Sequence, residues 1–164
     1  MAPDFKMQAL VGTEFKDISL ADYRGKWVVL FFYPLDFTFV CPTEVTEISR
    51  RHNEFAAMNA VVLGGSTDSV YSHKAWTKEI GQINYPLFAD LTRDTCRRYG
   101  VLVEEKGTAL RGTFIIDPEG KLRWSCIHDT GIGRSVDEII RALQALQTGE
   151  LCPVNWKPGE KTLS

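Results

Sequence analysis

An α/β domain built on a mixed central sheet with helices on both faces is what this sequence predicts. Three observations carry the prediction. Residues 26–33 (KWVVLFFY) are a continuous apolar run, as expected of a central strand buried on both faces. A helical pattern and a second apolar run at 60–64 (AVVLG) follow it, which makes a β-α-β unit. Residues 111–116 (RGTFII) and 122–127 (LRWSCI) then flank Asp117-Pro118-Glu119-Gly120. Proline second and glycine fourth suit a type I turn, so these runs read as a β-hairpin.

The elements follow in order. Residues 15–20 are the first expected strand. Pro34 ends the apolar strand, and a helix is expected from Pro42, since Val45, Ile48, His52, Phe55 and Met58 recur at helical spacing. Asp68 or Ser69 caps a helix running to about Ile80, and a short helix carrying Cys96 ends near Gly100. Ser135 and Glu138 form the S-x-x-E pattern of a capping box. Val136, Ile139, Ile140, Leu143 and Leu146 give that last helix its apolar face. The tail from Gly149 has two prolines and no period. This order is that of the thioredoxin fold. Residues 1–148 read as one domain and residues 149–164 as a C-terminal tail.

Composition narrows the function. At 164 residues, 44% hydrophobic and 24% charged, the chain is an ordinary globular domain. The longest apolar run, residues 27–33, is too short to span a bilayer. The opening MAPDFKMQALVG lacks a basic region followed by an apolar stretch, so no secretory signal is expected. A net charge of −2 offers no field for nucleic acid or anionic membrane. Four cysteines, Cys41, Cys96, Cys126 and Cys152, form no C-x-x-C, which argues against zinc ribbons and a thioredoxin-type dithiol. Sparse thiols without a signal point to a reducing, cytoplasmic setting, where a functional cysteine is reactive rather than a staple. His52, His73 and His128 make no metal-ligand pattern, and Gly64-Gly65 lacks a phosphate-loop pattern. No metal or cofactor is expected. His73 and Trp76 share a helix face and read as packing groups, as do Cys96 and Cys126.

The informative stretch is residues 33–44, YPLDFTFVCPTE. Cys41 falls between a buried strand and a helix with proline in its first turn, hence at about the N-cap. A thiolate there faces unpaired N–H groups and the positive end of the helix dipole, and the thiolate is the nucleophilic form. Thr38 is placed to turn a hydroxyl toward the same pocket, and Glu44 to reach back and bind an arginine. From spacing alone, a cysteine beside apolar residues reads equally well as a small buried hydrophobe.

Pro34, Thr38 and Cys41 match the P-x-x-x-T-x-x-C motif of the peroxiredoxins. DFTFVCPTE resembles the typical two-cysteine branch, close to the bacterial alkyl hydroperoxide reductase group. HKAW at 73–76, NYPLFAD at 84–90, RGTFIID at 111–117, GRSVDE at 133–138 and CPVNWKPGEKTL at 152–163 resemble family segments in family order, over essentially the whole chain. The resemblance implies a thiol peroxidase acting on hydrogen peroxide and alkyl hydroperoxides. Cys41 would be the peroxidatic cysteine, and Cys152 the resolving cysteine, reaching it from a partner protomer. Thr38 and Arg111 would be catalytic, with Pro34, Glu44 and Arg134 supporting the pocket. It further implies recycling by thioredoxin or a flavin disulfide reductase, and a homodimer or a ring of five dimers.

Two departures from many eukaryotic members bear on behaviour. Residues 77–88 read TKEIGQINYPLF, without the Gly-Gly-Leu-Gly segment, and no Tyr-Phe pair follows Cys152. Fast disulfide formation and resistance to overoxidation are therefore expected. The alternative reading is a redox-sensing or holdase-type assembly on the same fold. Loss of Pro34, Thr38 or Arg111 would have favoured it, and all three are present.

Overall fold

A computed structural model describes residues 1–164. The chain divides into two compact units, Met1–Arg134 and Ser135–Ser164. The first unit holds a seven-stranded sheet. Its strands are β1 (Lys6–Val11), β2 (Glu14–Ser19), β3 (Trp27–Phe32), β4 (Ala60–Ser66), β5 (Leu87–Ala89), β8 (Arg111–Ile116) and β9 (Leu122–His128), in the spatial order β2-β1-β5-β4-β3-β8-β9. A small ribbon of β6 (Leu102–Val103) and β7 (Thr108–Ala109) stands apart from it. The helices are α1 (Cys41–Arg50), α2 (His52–Ala56), α3 (Val70–Ile80) and α4 (Asp94–Arg98).

The expected mixed sheet is present. β3, β4 and β5 pair in parallel through the helical crossovers, while β8 and β1 run antiparallel to β3 and β5. β3 and β4 supply the centre of the core, with Val29, Leu30, Phe31, Phe32, Val62 and Leu63 all buried. Their apolar runs do not alternate because neither face meets water. Close packing sets the glycine pair in β4. A Cβ on Gly64 would collide with the Phe31 ring, and one on Gly65 with the Phe88 backbone.

Several expectations shift. β1 escapes a reading of the sequence because KMQALV is short and partly polar; its pairing with both β2 and β5 makes it a strand. The long helical pattern after Pro42 is two helices, broken at Arg51. Cys96 is buried as expected, but Cys126 is exposed, because β9 is uncovered along most of its length on both faces. The hairpin follows the expected turn, with Gly120 at φ +86°. Ser69 caps α3 by accepting the Ser72 N–H at 3.1 Å.

The second unit is α5 (Val136–Thr148) and an irregular tail. Ser135 caps α5 through the Glu138 N–H at 3.2 Å, and Gly149 ends it at φ +69°. The tail is tied to its own helix, since Arg141 donates to the Trp156 carbonyl at 3.1 Å. No helix is long and apolar enough to cross a membrane.

Candidate active site

Sheet pairing explains how residues far apart in sequence meet. Gly112 of β8 lies opposite Phe32 of β3, so Arg111 arrives where β3 ends and the chain turns toward α1. Cys41 is the first residue of that helix and is buried. Its Sγ lies 3.3 Å from Arg111 Nη1. The same Nη1 donates to Glu44 Oε1 at 2.6 Å, and Arg111 Nε donates to the Thr130 carbonyl at 2.9 Å.

Glu44 is the hub of the site. Its Oε2 accepts both the backbone N–H and Nε of Arg134, each at 2.8 Å. Arg134 spends its remaining donors on Gly112 O and Thr113 Oγ1 at 2.9 Å, Phe32 O at 2.6 Å and Glu44 Oε1 at 3.3 Å. Its guanidinium also stacks 4.9 Å from the Phe31 ring centre. All three charged side chains are almost wholly buried. One carboxylate thus faces two guanidinium groups, which leaves one positive charge to be met by an anion at Cys41. In a site this dry that attraction is poorly screened.

The helix start differs from the sequence reading in an instructive way. Val40 occupies the cap and Cys41 is one residue inside the helix. The Thr43 and Glu44 N–H groups both bond the Val40 carbonyl, at 3.0 and 3.4 Å. Pro42 has no N–H to offer. The positive field at the sulfur therefore comes from Arg111 and the helix dipole, rather than from a ring of free N–H groups.

Of the residues singled out in the sequence, Arg111, Glu44 and Arg134 are brought together beside Cys41. Thr38 does not turn toward the sulfur; it is exposed and donates to the Leu35 carbonyl at 2.9 Å. Hydroxyls in turns readily take a carbonyl three residues back. Phe37 beside it holds φ at +58°, a strained angle for a side chain of that size. Cys152, in the second unit, is half-buried and unpaired, its Sγ 3.8 Å from the Ala145 carbonyl.

The structure adds residues that sequence reasoning missed. Thr130 and Thr113 orient the two arginines, and Tyr85 ties α1 down by donating to Val45 O at 2.8 Å. Burial pushes the Tyr85 phenol well above the usual range, so it remains a donor. Asp36, in the loop before Cys41, is 5% exposed and anchors that loop. No local pattern marks these residues, because each acts on a partner distant in sequence.

Cys96 is a contrasting thiol. Burial and the Asp90 carboxylate both push its pKa up. Iodoacetamide at neutral pH should leave Cys96 unmodified in the native protein and label the exposed Cys126, as read by peptide mass mapping. Labelling of Cys96 at the Cys126 rate would show that its burial is transient.

Residues 1–125 match the family model described as AhpC/TSA family, and residues 142–164 match the C-terminal domain of 1-Cys peroxiredoxin. The chain belongs to the AhpC/TSA family. Among its relatives, the putative peroxiredoxin YkuU of Bacillus subtilis is 54% identical over 99% of this chain and 95% of its own length. A thioredoxin peroxidase of Fasciola hepatica is also 54% identical, over 99% and 89%. Among solved structures, the reduced 2-Cys peroxiredoxin of Plasmodium vivax superposes with a TM-score of 0.95 at 38% identity, covering 98% of this chain and 89% of that one. AhpC of Enterococcus faecalis gives 0.87 at 42% identity, covering 92% and 95%. The fold is thus the thioredoxin-like α/β fold, and the protein is a peroxiredoxin of the two-cysteine kind that resembles AhpC. Peroxiredoxins are thiol-dependent peroxidases, and this chain is one.

Proposed function

We propose that this peroxiredoxin reduces hydrogen peroxide and alkyl hydroperoxides through Cys41, in antioxidant defence. The observation that carries the reading is the buried Cys41 sulfur held 3.3 Å from the Arg111 guanidinium. The Cys41 thiolate attacks the terminal peroxide oxygen, the O–O bond breaks, and the leaving alkoxide or hydroxide takes up a proton. Arg111 stabilises the charge growing on the leaving oxygen. Glu44 and Arg134 hold Arg111 through charge-assisted hydrogen bonds. Pro34 walls the pocket, and Thr38 binds the peroxide once its hydroxyl leaves the Leu35 carbonyl. The product on the enzyme is a Cys41 sulfenic acid.

In the second step the Cys152 thiol of a second protomer condenses with that sulfenic acid, releasing water and forming a disulfide. A thioredoxin or a flavin disulfide reductase then supplies two electrons to restore both thiols. The homodimer this requires is supported by β9, which pairs with β8 alone and exposes Leu122 and Ile127. An unpaired strand edge with apolar residues is a surface that a second copy would cover. Phe39, 94% exposed beside the half-exposed Phe37, offers a second surface suited to joining dimers into a ring.

Peroxide treatment should give a disulfide-linked dimer on a non-reducing denaturing gel, reversed by dithiothreitol. Cys152→Ser should remove that band while one round of peroxide reduction survives. A fully oxidised chain that runs only as monomer would mean that the bridge forms within one chain.

A further inference from the structure

The tail that carries Cys152 is a loop with a closed neck. Leu163 N–H donates to the Leu151 carbonyl at 2.7 Å, and Leu151 N–H donates to Ser164 Oγ at 2.9 Å. Residues 151–163 thus leave and return at one point, and Cys152 lies immediately inside it. The loop also packs on itself. Trp156 N–H donates to the Pro153 carbonyl at 3.2 Å and Trp156 Nε1 to the Glu160 carbonyl at 3.1 Å, while Lys157 N–H donates to Glu160 Oε2 at 3.1 Å. A compact surface loop with joined ends, filled by its own side chains, is an Ω-loop.

Two contacts fasten this loop to α5. One is the Cys152 thiol itself, which donates to the Ala145 carbonyl at 3.8 Å and lies 3.6 Å from Thr148 Oγ1. The sulfur therefore faces its own helix and is half-buried there. The other is Arg141. Its Nε and Nη2 grip the Glu138 carboxylate at 2.6 and 2.7 Å, and Nη1, aimed by that fork, donates to the Trp156 carbonyl at 3.1 Å. Trp156 is 4% exposed, so the latch falls on the loop residue that burial also anchors. Leu151 and Trp156 bracket Cys152, and neither end of that segment is free while neck and latch hold. A sulfur held this way cannot attack another sulfur without first leaving α5.

We propose that Arg141 and the Leu151–Leu163 neck are positioning groups for Cys152, and that they keep its sulfur on α5 until the loop opens. The inference rests on the reading of Cys152 as the resolving thiol. Opening of the loop then gates disulfide formation and sets how long the Cys41 sulfenic acid persists. In the gated step the Cys152 sulfur attacks the sulfenic sulfur. The S–S bond replaces the S–O bond, and the thiol proton leaves with the hydroxyl as water.

Two substitutions weaken the hold without touching either cysteine. Leu163→Pro removes the neck N–H while Leu163→Ala keeps it, and the native side chain is exposed, so the pair isolates the hydrogen bond. Arg141→Lys loses the fork that binds Glu138 and Trp156 together. Glu138 chiefly, and Cys152 to a smaller extent, hold the Arg141 guanidinium charged, so lysine is chosen to keep a cation there. In the reduced protein, iodoacetamide should label Cys152 several-fold faster in Leu163→Pro and Arg141→Lys than in wild type or Leu163→Ala. The exposed Cys126 of the same molecule supplies the reference rate. Rapid quenching after one equivalent of hydrogen peroxide should show disulfide formation faster by a similar factor, with loss of the Cys41 thiol unchanged. Damage to the fold would slow both steps rather than speed one. Equal Cys152 labelling in wild type and both variants would overturn the hold, and faster labelling without faster disulfide formation would overturn the gate. A wild-type disulfide that survives Cys152→Ser would instead overturn the resolving role itself.

Discussion

Cys41→Ser should abolish peroxide turnover, while Cys96→Ser and Cys126→Ser retain most of it. The size of the effect follows from the chemistry. A serine hydroxyl is not ionised near neutral pH and has none of the nucleophilicity of a thiolate. The substitution is nearly isosteric, and the Arg111–Glu44 contact at 2.6 Å does not depend on sulfur, so the pocket should survive it. Stopped-flow mixing with hydrogen peroxide, followed by intact mass, gives the comparison. Wild type should gain an oxygen or a disulfide, and the variant should gain neither. A Cys41→Ser protein that still consumed peroxide catalytically would move the nucleophile to another thiol. Cys96 is poorly suited to that role, because its environment disfavours the anion.

Arg111→Ala should cost on the order of 100-fold or more in the rate of peroxide reduction, the usual consequence of losing one aimed donor at a developing charge. The fold should tolerate it, because Glu44 keeps the Arg134 side chain at 2.8 Å as a partner. Arg111→Lys should recover only part of the rate. The native side chain reaches Cys41, Glu44 and the Thr130 carbonyl at once, using two nitrogens of a rigid fork. A single ammonium on a flexible stem cannot hold that geometry. The second-order rate constant with hydrogen peroxide is the measurement, supported by the rate of Cys41 alkylation at fixed pH, which should fall in parallel. A lysine variant with wild-type rate would show that a point charge suffices.

Residues 33–44 show how the place of Cys41 at a helix start is legible, while its reading as a nucleophile came from resemblance. A buried strand, a proline in the next helix turn and a cysteine between them are all local features, each set by backbone chemistry within a few residues. The apolar runs of β3 and β4 are legible for the same reason, because burial on both faces writes itself into consecutive residues. β1 is not, since a short mixed segment becomes a strand only through the neighbours that supply its hydrogen bonds. Cys126 misleads because alternation reports a pleat and does not report whether anything covers either face of the strand.

The sequence by itself determined the α/β class, the order of the main elements and the helix cap at Ser135, narrowed the cap of α3 to Asp68 or Ser69, and placed Cys41 at a helix start. Those follow from periodicity, turn chemistry and local sterics. Resemblance in the motifs pointed to Arg111, Glu44 and Arg134 without saying how they act together. Only the tertiary structure decided that β8 lies beside β3, which brings Arg111 to 3.3 Å from Cys41 across 70 positions of chain. It also decided that one buried carboxylate would serve two arginines, that Val40 rather than Cys41 would cap the helix, and that His73 would meet Asp36 and Phe88. Each of these depends on which strands become neighbours and which groups lose their water together, and neither quantity is a property of any local stretch of residues.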